Sequence, residues 1–132
     1  MRHDKRMKIT ALIPLAALFL SGCITYHTRS DGISRARFDE AVVVNGPKVT
    51  PLALLEDSRC PAGVQCVWAG QVRISARIET GKGSETRELT LGKPVPVADG
   101  QLQLVEVAPG KRANITLYPE DYRFGFTFAG GL

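Results

Sequence analysis

Between residues 72 and 79, Val72, Ile74, Ala76 and Ile78 alternate with Arg73, Ser75, Arg77 and Glu79. A period of two puts the first set on one face and the second on the other, which predicts a half-buried antiparallel strand. Gly81-Lys82-Gly83-Ser84 follows as a hairpin loop, and residues 85–91 read as the return strand. Residues 92–100 hold two prolines and Asp99-Gly100, so they predict a connection with at most a short edge piece. Leu102, Leu104 and Val107 predict another strand, and the break in alternation near Val105 predicts a bulge. Pro109-Gly110-Lys111-Arg112 turns the chain, and Ile115 and Leu117 predict a short strand. Tyr122, Phe124, Phe126 and Phe128 then line one face of a final strand. Upstream, residues 38–44 and 49–56 predict two more strands around the turn Asn45-Gly46-Pro47, with Pro51 at a strand start or edge position. No window has a helical period with caps. The fold class is therefore all-β, an antiparallel sandwich or small barrel over residues 38–132.

The first 37 residues do not share this pattern. Residues 1–8 are basic, and residues 9–20 form a 12-residue apolar run broken only by Thr10 and Pro14. That run is too short for a bilayer core, which needs about 20 residues, and suits a signal peptide over residues 1–22. Leu20-Ser21-Gly22-Cys23 resembles the lipobox of bacterial lipoproteins. The resemblance implies cleavage before Cys23, a diacylglyceryl thioether on its sulfur and an acyl chain on its amine, giving membrane attachment through lipid. Met7 would serve as a start as well as Met1. Ile24 and Thr25 follow the cysteine, and the absence of Asp there implies, by resemblance to enterobacterial sorting, an outer-membrane destination facing the periplasm. Residues 23–37 are polar, carry Asp31-Gly32 and show no sustained period, so they read as the lipidated terminus and a flexible tether.

The leader also accounts for the charge. The whole chain is +4, but from Cys23 onward 13 Lys and Arg stand against 12 Asp and Glu. A near-neutral mature domain lacks the clustered positive charge that nucleic acid requires. A domain of about 95 residues has a small core, so a covalent link and large aromatics gain weight. The aromatic strand and Trp68 are the expected centre of that core.

Residues 57–70, DSRCPAGVQCVWAG, hold two of the three cysteines and the single tryptophan. Export favours oxidation, so a Cys60–Cys66 disulfide is expected, closing a short loop worth about 2 kcal/mol. Gly70 is expected to turn the chain into the next strand. Asp57, Arg59 and Gln65 have two readings. An exposed stapled loop presents them to a partner, making them candidate recognition residues. Alternatively, Asp57 and Ser58 cap the turn and Arg59 pairs with Asp57 or another carboxylate.

The DSRCP…QCVWAG pattern resembles a motif of small bacterial envelope lipoproteins without an assigned activity. The likeness covers residues 57–70, with weaker similarity through residues 71–80 and Asp121-Tyr122-Arg123. It implies an envelope location and no catalytic residue.

Several chemistries lack their residues. The only histidines are His3 in the leader and His27 in the tether, so the domain has no histidine for a Ser-His-Asp or Cys-His mechanism. Two thiolates without a histidine are an incomplete metal site, and no phosphate loop or dinucleotide fingerprint occurs. No metal and no cofactor are expected. Glu56-Asp57 and Glu120-Asp121 are carboxylate neighbours whose side chains point to opposite faces if they lie on strands. The expectation is a non-enzymatic, lipid-anchored binding or structural module with an envelope protein as partner. The alternative is a lipoprotein inhibitor of an envelope-attacking hydrolase, with the stapled loop in its cleft.

Overall fold

A computed structural model describes residues 31–130. Eight strands form two four-stranded antiparallel sheets. They are β1 Ser34–Ala36, β2 Val42–Val43, β3 Lys48–Asp57, β4 Val72–Thr80, β5 Gly83–Thr90, β6 Val95–Val97, β7 Gly100–Ala108 and β8 Arg123–Gly130. One sheet has the order β2-β3-β4-β5 and the other β1-β8-β7-β6. Val72, Ile74, Ile78 and Leu89 from the first sheet pack in one core with Leu102, Leu104, Phe124 and Phe126 from the second. The fold is thus an all-β sandwich. The segment read as a signal peptide, Cys23 and the first part of the segment read as a tether lie outside the described residues.

The alternating pattern maps directly onto burial. Val72, Ile74, Ala76 and Ile78 are all fully buried, and so are Phe124 and Phe126. The bulge in β7 is present: Leu104 pairs with Phe126 and Glu106 with Gly125, leaving Val105 as the extra residue. Pro51 sits inside β3, not at its start, but next to an irregularity of the β3–β4 pairing. Its carbonyl accepts the Asp39 N–H at 2.8 Å on the side away from β4, so its missing donor faces the sheet's edge.

Three expectations change. Residues 38–44 do not make one strand, because Asp39 takes a left-handed φ of 62° and the chain turns there. The turn carries the chain from β1 in one sheet to β2 in the other, and Phe38 drops between them to stack edge-on against Phe124. The domain also starts earlier than residue 38, since Ser34–Ala36 pairs with β8 inside the stretch read as tether. Ile115 and Leu117 form no strand: Asn114 is left-handed and a 3-10 turn at Pro119–Asp121 follows. The segment runs instead through a backbone hydrogen bond from the Ile115 N–H to the Arg112 carbonyl at 3.3 Å and joins neither sheet.

Asp31 at the beginning of the described chain is tied back into the sheet. Its carboxylate pairs with Arg35 at 2.7 Å, and Arg35 also pairs with Glu106 at 3.0 Å. Glu106 lies two residues before the end of β7.

Candidate functional site

β3 ends, β4 begins, β7 ends and β8 begins at one end of the sandwich. Two irregular connections leave that end, the 58–71 loop and the 109–122 connection. The neck of the first is closed by the Ser58 N–H donating to the Gln71 carbonyl at 2.9 Å and the Cys60 N–H donating to the Ala69 carbonyl at 3.2 Å. Gln71 returns its N–H to the Ser58 hydroxyl at 3.0 Å. The Cys60–Cys66 disulfide closes the tip. Gly70 makes the neck possible. It has φ of +73°, and a Cβ there would lie 1.8 Å from the Ser58 carbonyl oxygen. The Ala62 N–H donates to the Lys111 carbonyl at 2.9 Å, joining the loop to the second connection.

Beneath the loop lies a polar cluster of three side chains. Arg59 donates from Nε to Asp57 Oδ1 and from Nη2 to Asp57 Oδ2, both at 2.9 Å. Its Nη1 donates to the Val107 carbonyl at 3.0 Å, crossing to the other sheet. The Tyr122 hydroxyl donates to Asp57 Oδ2 at 2.7 Å, and Lys111 Nζ donates to the Asp57 carbonyl at 3.1 Å. The Asp57 side chain is 5% exposed and that of Arg59 16%. A fork-to-fork pair with both carboxylate oxygens engaged is the arrangement in which a buried ion pair is well satisfied. Asp57 and Arg59 therefore face inward as a tie between the sheets, which realises the pairing alternative and turns their charges away from solvent. Gln65 is exposed at the loop tip.

The cluster sets its own titration. Burial pushes the Asp57 carboxyl up, but the hydrogen bonds from Arg59 and Tyr122 outweigh it and hold it below its ordinary value. Burial, with the hydrogen bond to the Asp57 carboxylate, pushes the Tyr122 phenol up to about 12. A raised phenol means that the folded state holds its proton more tightly than the unfolded chain does. Its contribution is complete below pH 10 and is lost as pH rises toward 12. Alkaline denaturation is expected to show a loss of about 2 kcal/mol across that window, absent in Tyr122→Phe. Denaturant titrations at a series of pH values measure it.

Trp68 is not in the core. It is 81% exposed and Val67 is 91% exposed. The space expected for it is taken by Tyr122, which is buried and stacks on Phe124, with Phe38 edge-on to both rings. The turn at Gly70 holds residues 66–69 outside the sandwich, before β4 begins. Val64, Ile115 and Tyr118 are exposed on the same two connections, and Leu54 and Leu55 on the last part of β3. Seven of the eight large exposed apolar side chains among the described residues thus belong to this end, Val43 being the exception. An open depression of about 450 Å³ lies on the second connection, lined by Pro109, Lys111, Arg112, Ile115 and Leu117 and touched from the stapled loop by Ala62. Sequence reading missed this face because Val67 and Trp68 look like core residues wherever a strand follows directly.

Three of the four paired acids have partners within the domain. Glu56 accepts from Arg73 Nε at 2.8 Å and Gln71 Nε2 at 2.7 Å, which together lower its pKa, while Asp57 belongs to Arg59. Asp121 accepts the Tyr118 N–H at 2.8 Å. Among the described residues no group of three or more His, Cys, Asp or Glu side chains is placed to hold a metal ion. A scan against protein-family models, a search of the curated proteins and a search of solved structures each find no match to this chain.

Proposed function

We propose that this protein is a lipid-anchored, non-enzymatic module of the bacterial cell envelope that uses the stapled-loop end of its sandwich as a contact surface. The observation that carries the reading is the gathering of exposed apolar side chains at that end. An apolar face of this kind, held on a covalently closed loop, marks an interaction site. The loop is rooted by a buried ion pair and closed by a disulfide, so little ordering entropy is lost when it binds. The order of basic, apolar and small residues before Cys23 supports the anchor.

Two experiments test it. Cys23→Ala is expected to release the protein from the membrane fraction; retention would defeat the lipid anchor. A photo-crosslinking residue placed at Val67 is expected to give a discrete adduct with a different protein in intact cells, and one at Thr86 on β5 none. The absence of an adduct at Val67, or equal labelling at both positions, would defeat the contact surface. Trp68→Ala is expected to leave unfolding free energy unchanged within about 0.5 kcal/mol, since the side chain is largely exposed. Chemical denaturation checks it, and a large loss would return Trp68 to a structural role.

The inhibitor reading gains from the stapled, protruding loop, but not from Arg59, whose charge is spent on Asp57. It requires the Val67 adduct to be a hydrolase.

A further inference from the structure

Among the described residues the two open sheets end in β2, β5, β1 and β6. Three of these edges are short. β1 and β6 have three residues each, β2 has two, and Pro96 in β6 lacks an N–H. The part of β3 that β2 leaves bare carries two irregularities of register. β5 differs. Its eight residues pair with β4 without a shift, and no described strand lies on its other side. A long, regular edge is a template for another strand unless something blocks it.

The phase of this edge is fixed. β4 and β5 join through the loop Gly81-Lys82, with Thr80 opposite Gly83. The Leu91 N–H continues the register by donating to the Val72 carbonyl at 2.9 Å, so odd-numbered residues turn their backbone groups toward β4. Ser84, Thr86 and Glu88 therefore turn their N–H and C=O groups to the open edge. The Thr90 carbonyl already accepts the Lys93 N–H at 3.0 Å. Side chains alternate with the same period. Glu85, Arg87 and Leu89 lie opposite Ile78, Ala76 and Ile74 on the core side, and Leu89 is buried. Arg87 donates from Nη1 to the Pro96 carbonyl and lies 3.9 Å from Glu85, whose side chain is 59% exposed. Glu88, on the outer side, pairs with Arg73.

We propose that β5 pairs with β5 of a second copy of this chain, antiparallel and centred on Thr86, joining the two β2-β3-β4-β5 sheets into one. The phase allows only registers that set even-numbered residues opposite even-numbered ones. Centring on Thr86 puts Glu85 of each copy opposite Arg87 of the other, Ser84 opposite Glu88, and Thr86 opposite Thr86. Lys82, in the hairpin loop, falls opposite Thr90. Centring on Glu85, Arg87 or Glu88 instead sets like charges face to face, which destabilises a strand pair. The Thr86 register makes about six backbone hydrogen bonds through Ser84, Thr86 and Glu88. Inward-pointing charges keep an arbitrary strand off an edge, but this pattern is complementary to itself. The two-fold axis reverses strand direction, so the stapled-loop ends of the two copies point opposite ways.

Sedimentation equilibrium of the purified full chain tests the pairing. Two strand edges bury less than a standard interface, so a monomer–dimer equilibrium with a Kd of about 10 μM is expected. Glu85→Arg and Arg87→Glu each set like charges opposite one another twice and are expected to weaken association about 30-fold. An equimolar mixture of the two variants brings opposite charges together again and is expected to recover the dimer. That recovery separates a lost contact from a misfolded chain, and thermal transitions of the single variants check the fold directly. In cells, the crosslinker at Thr86 is expected to join the chain to its own copy. A wild-type chain that stays monomeric at about 1 mM and gives no self-adduct would overturn the pairing. So would a dimer that neither variant weakens, or a mixture that recovers none. No residue of the stapled-loop end takes part, so each of these results leaves the contact surface standing.

Discussion

Asp57→Ala is expected to cost the domain about 3 kcal/mol, roughly 15 °C in melting temperature for a domain of this size. The substitution leaves the Arg59 guanidinium under the loop with only neutral partners, the Val107 carbonyl and the Tyr122 hydroxyl, and removes the acceptor of that hydroxyl. Most of the loss is thus the cost of a partly buried cation without its counter-charge. Tyr122→Phe removes one hydrogen bond to a charged acceptor and is expected to cost about 1.5 kcal/mol. The double variant Asp57→Ala/Arg59→Ala is expected to be less destabilised than the sum of its single variants, because neither charge is stranded. Equilibrium denaturation of the set measures the coupling, and strict additivity would show that the pair contributes nothing as a pair. The same carboxylate gives the acid limb its sign. Asp57 titrates below its unfolded value, so its contribution is present above about pH 4 and is lost as pH falls through the lower, folded value. Asp57→Asn should flatten that limb at the cost of lower stability at neutral pH.

Gly70→Ala is expected to be nearly as severe, about 3 kcal/mol, although it adds only a methyl group. The added carbon would meet the Ser58 carbonyl oxygen at 1.8 Å and its carbonyl carbon at 2.4 Å. Both are backbone atoms, so relief requires the two sides of the neck to separate. Separation breaks the Ser58–Gln71 and Cys60–Ala69 hydrogen bonds, and the left-handed φ adds about 1 kcal/mol. Gly63→Ala at the loop tip is the comparison: its φ is +81° with open space around it, so only the smaller backbone term applies. Denaturation of the two variants separates steric closure of the neck from backbone strain. Equal losses would mean that the close approach at Gly70 is not what matters.

The strands were legible because their cause is local. Alternation over Val72 to Ile78 and over Phe124 to Phe128 reflects the two faces of a pleat, and the shift at Val105 is a one-residue insertion in that period. The disulfide was expected from reading the leader as an export signal, which makes an oxidised pair the default. The division of residues 38–44 between two sheets did not follow, because a left-handed Asp39 interrupts a run whose composition is uniformly strand-like. Ile115 and Leu117 misled for the converse reason. They are strand-forming residues set between a left-handed Asn114 and the 3-10 turn at Pro119–Asp121, which leaves no extended run to pair.

The stretch from Asp57 to Gly70 shows both sides of this division. The chain by itself determined that a short loop is closed by Cys60 and Cys66, that Gly70 sits at a turn, and that no histidine serves a catalytic or metal site in the domain. The tertiary structure decided the direction of each side chain. Asp57 and Arg59, polar and next to a loop, went inward because Tyr122 and the Val107 carbonyl arrive there from the opposite sheet to satisfy them. Trp68, the largest apolar residue, went outward because Tyr122, Phe38 and Phe124 had already filled that end of the core. Burial depends on which distant residues compete for the same volume and on which partners reach a polar group, and neither is written in local sequence.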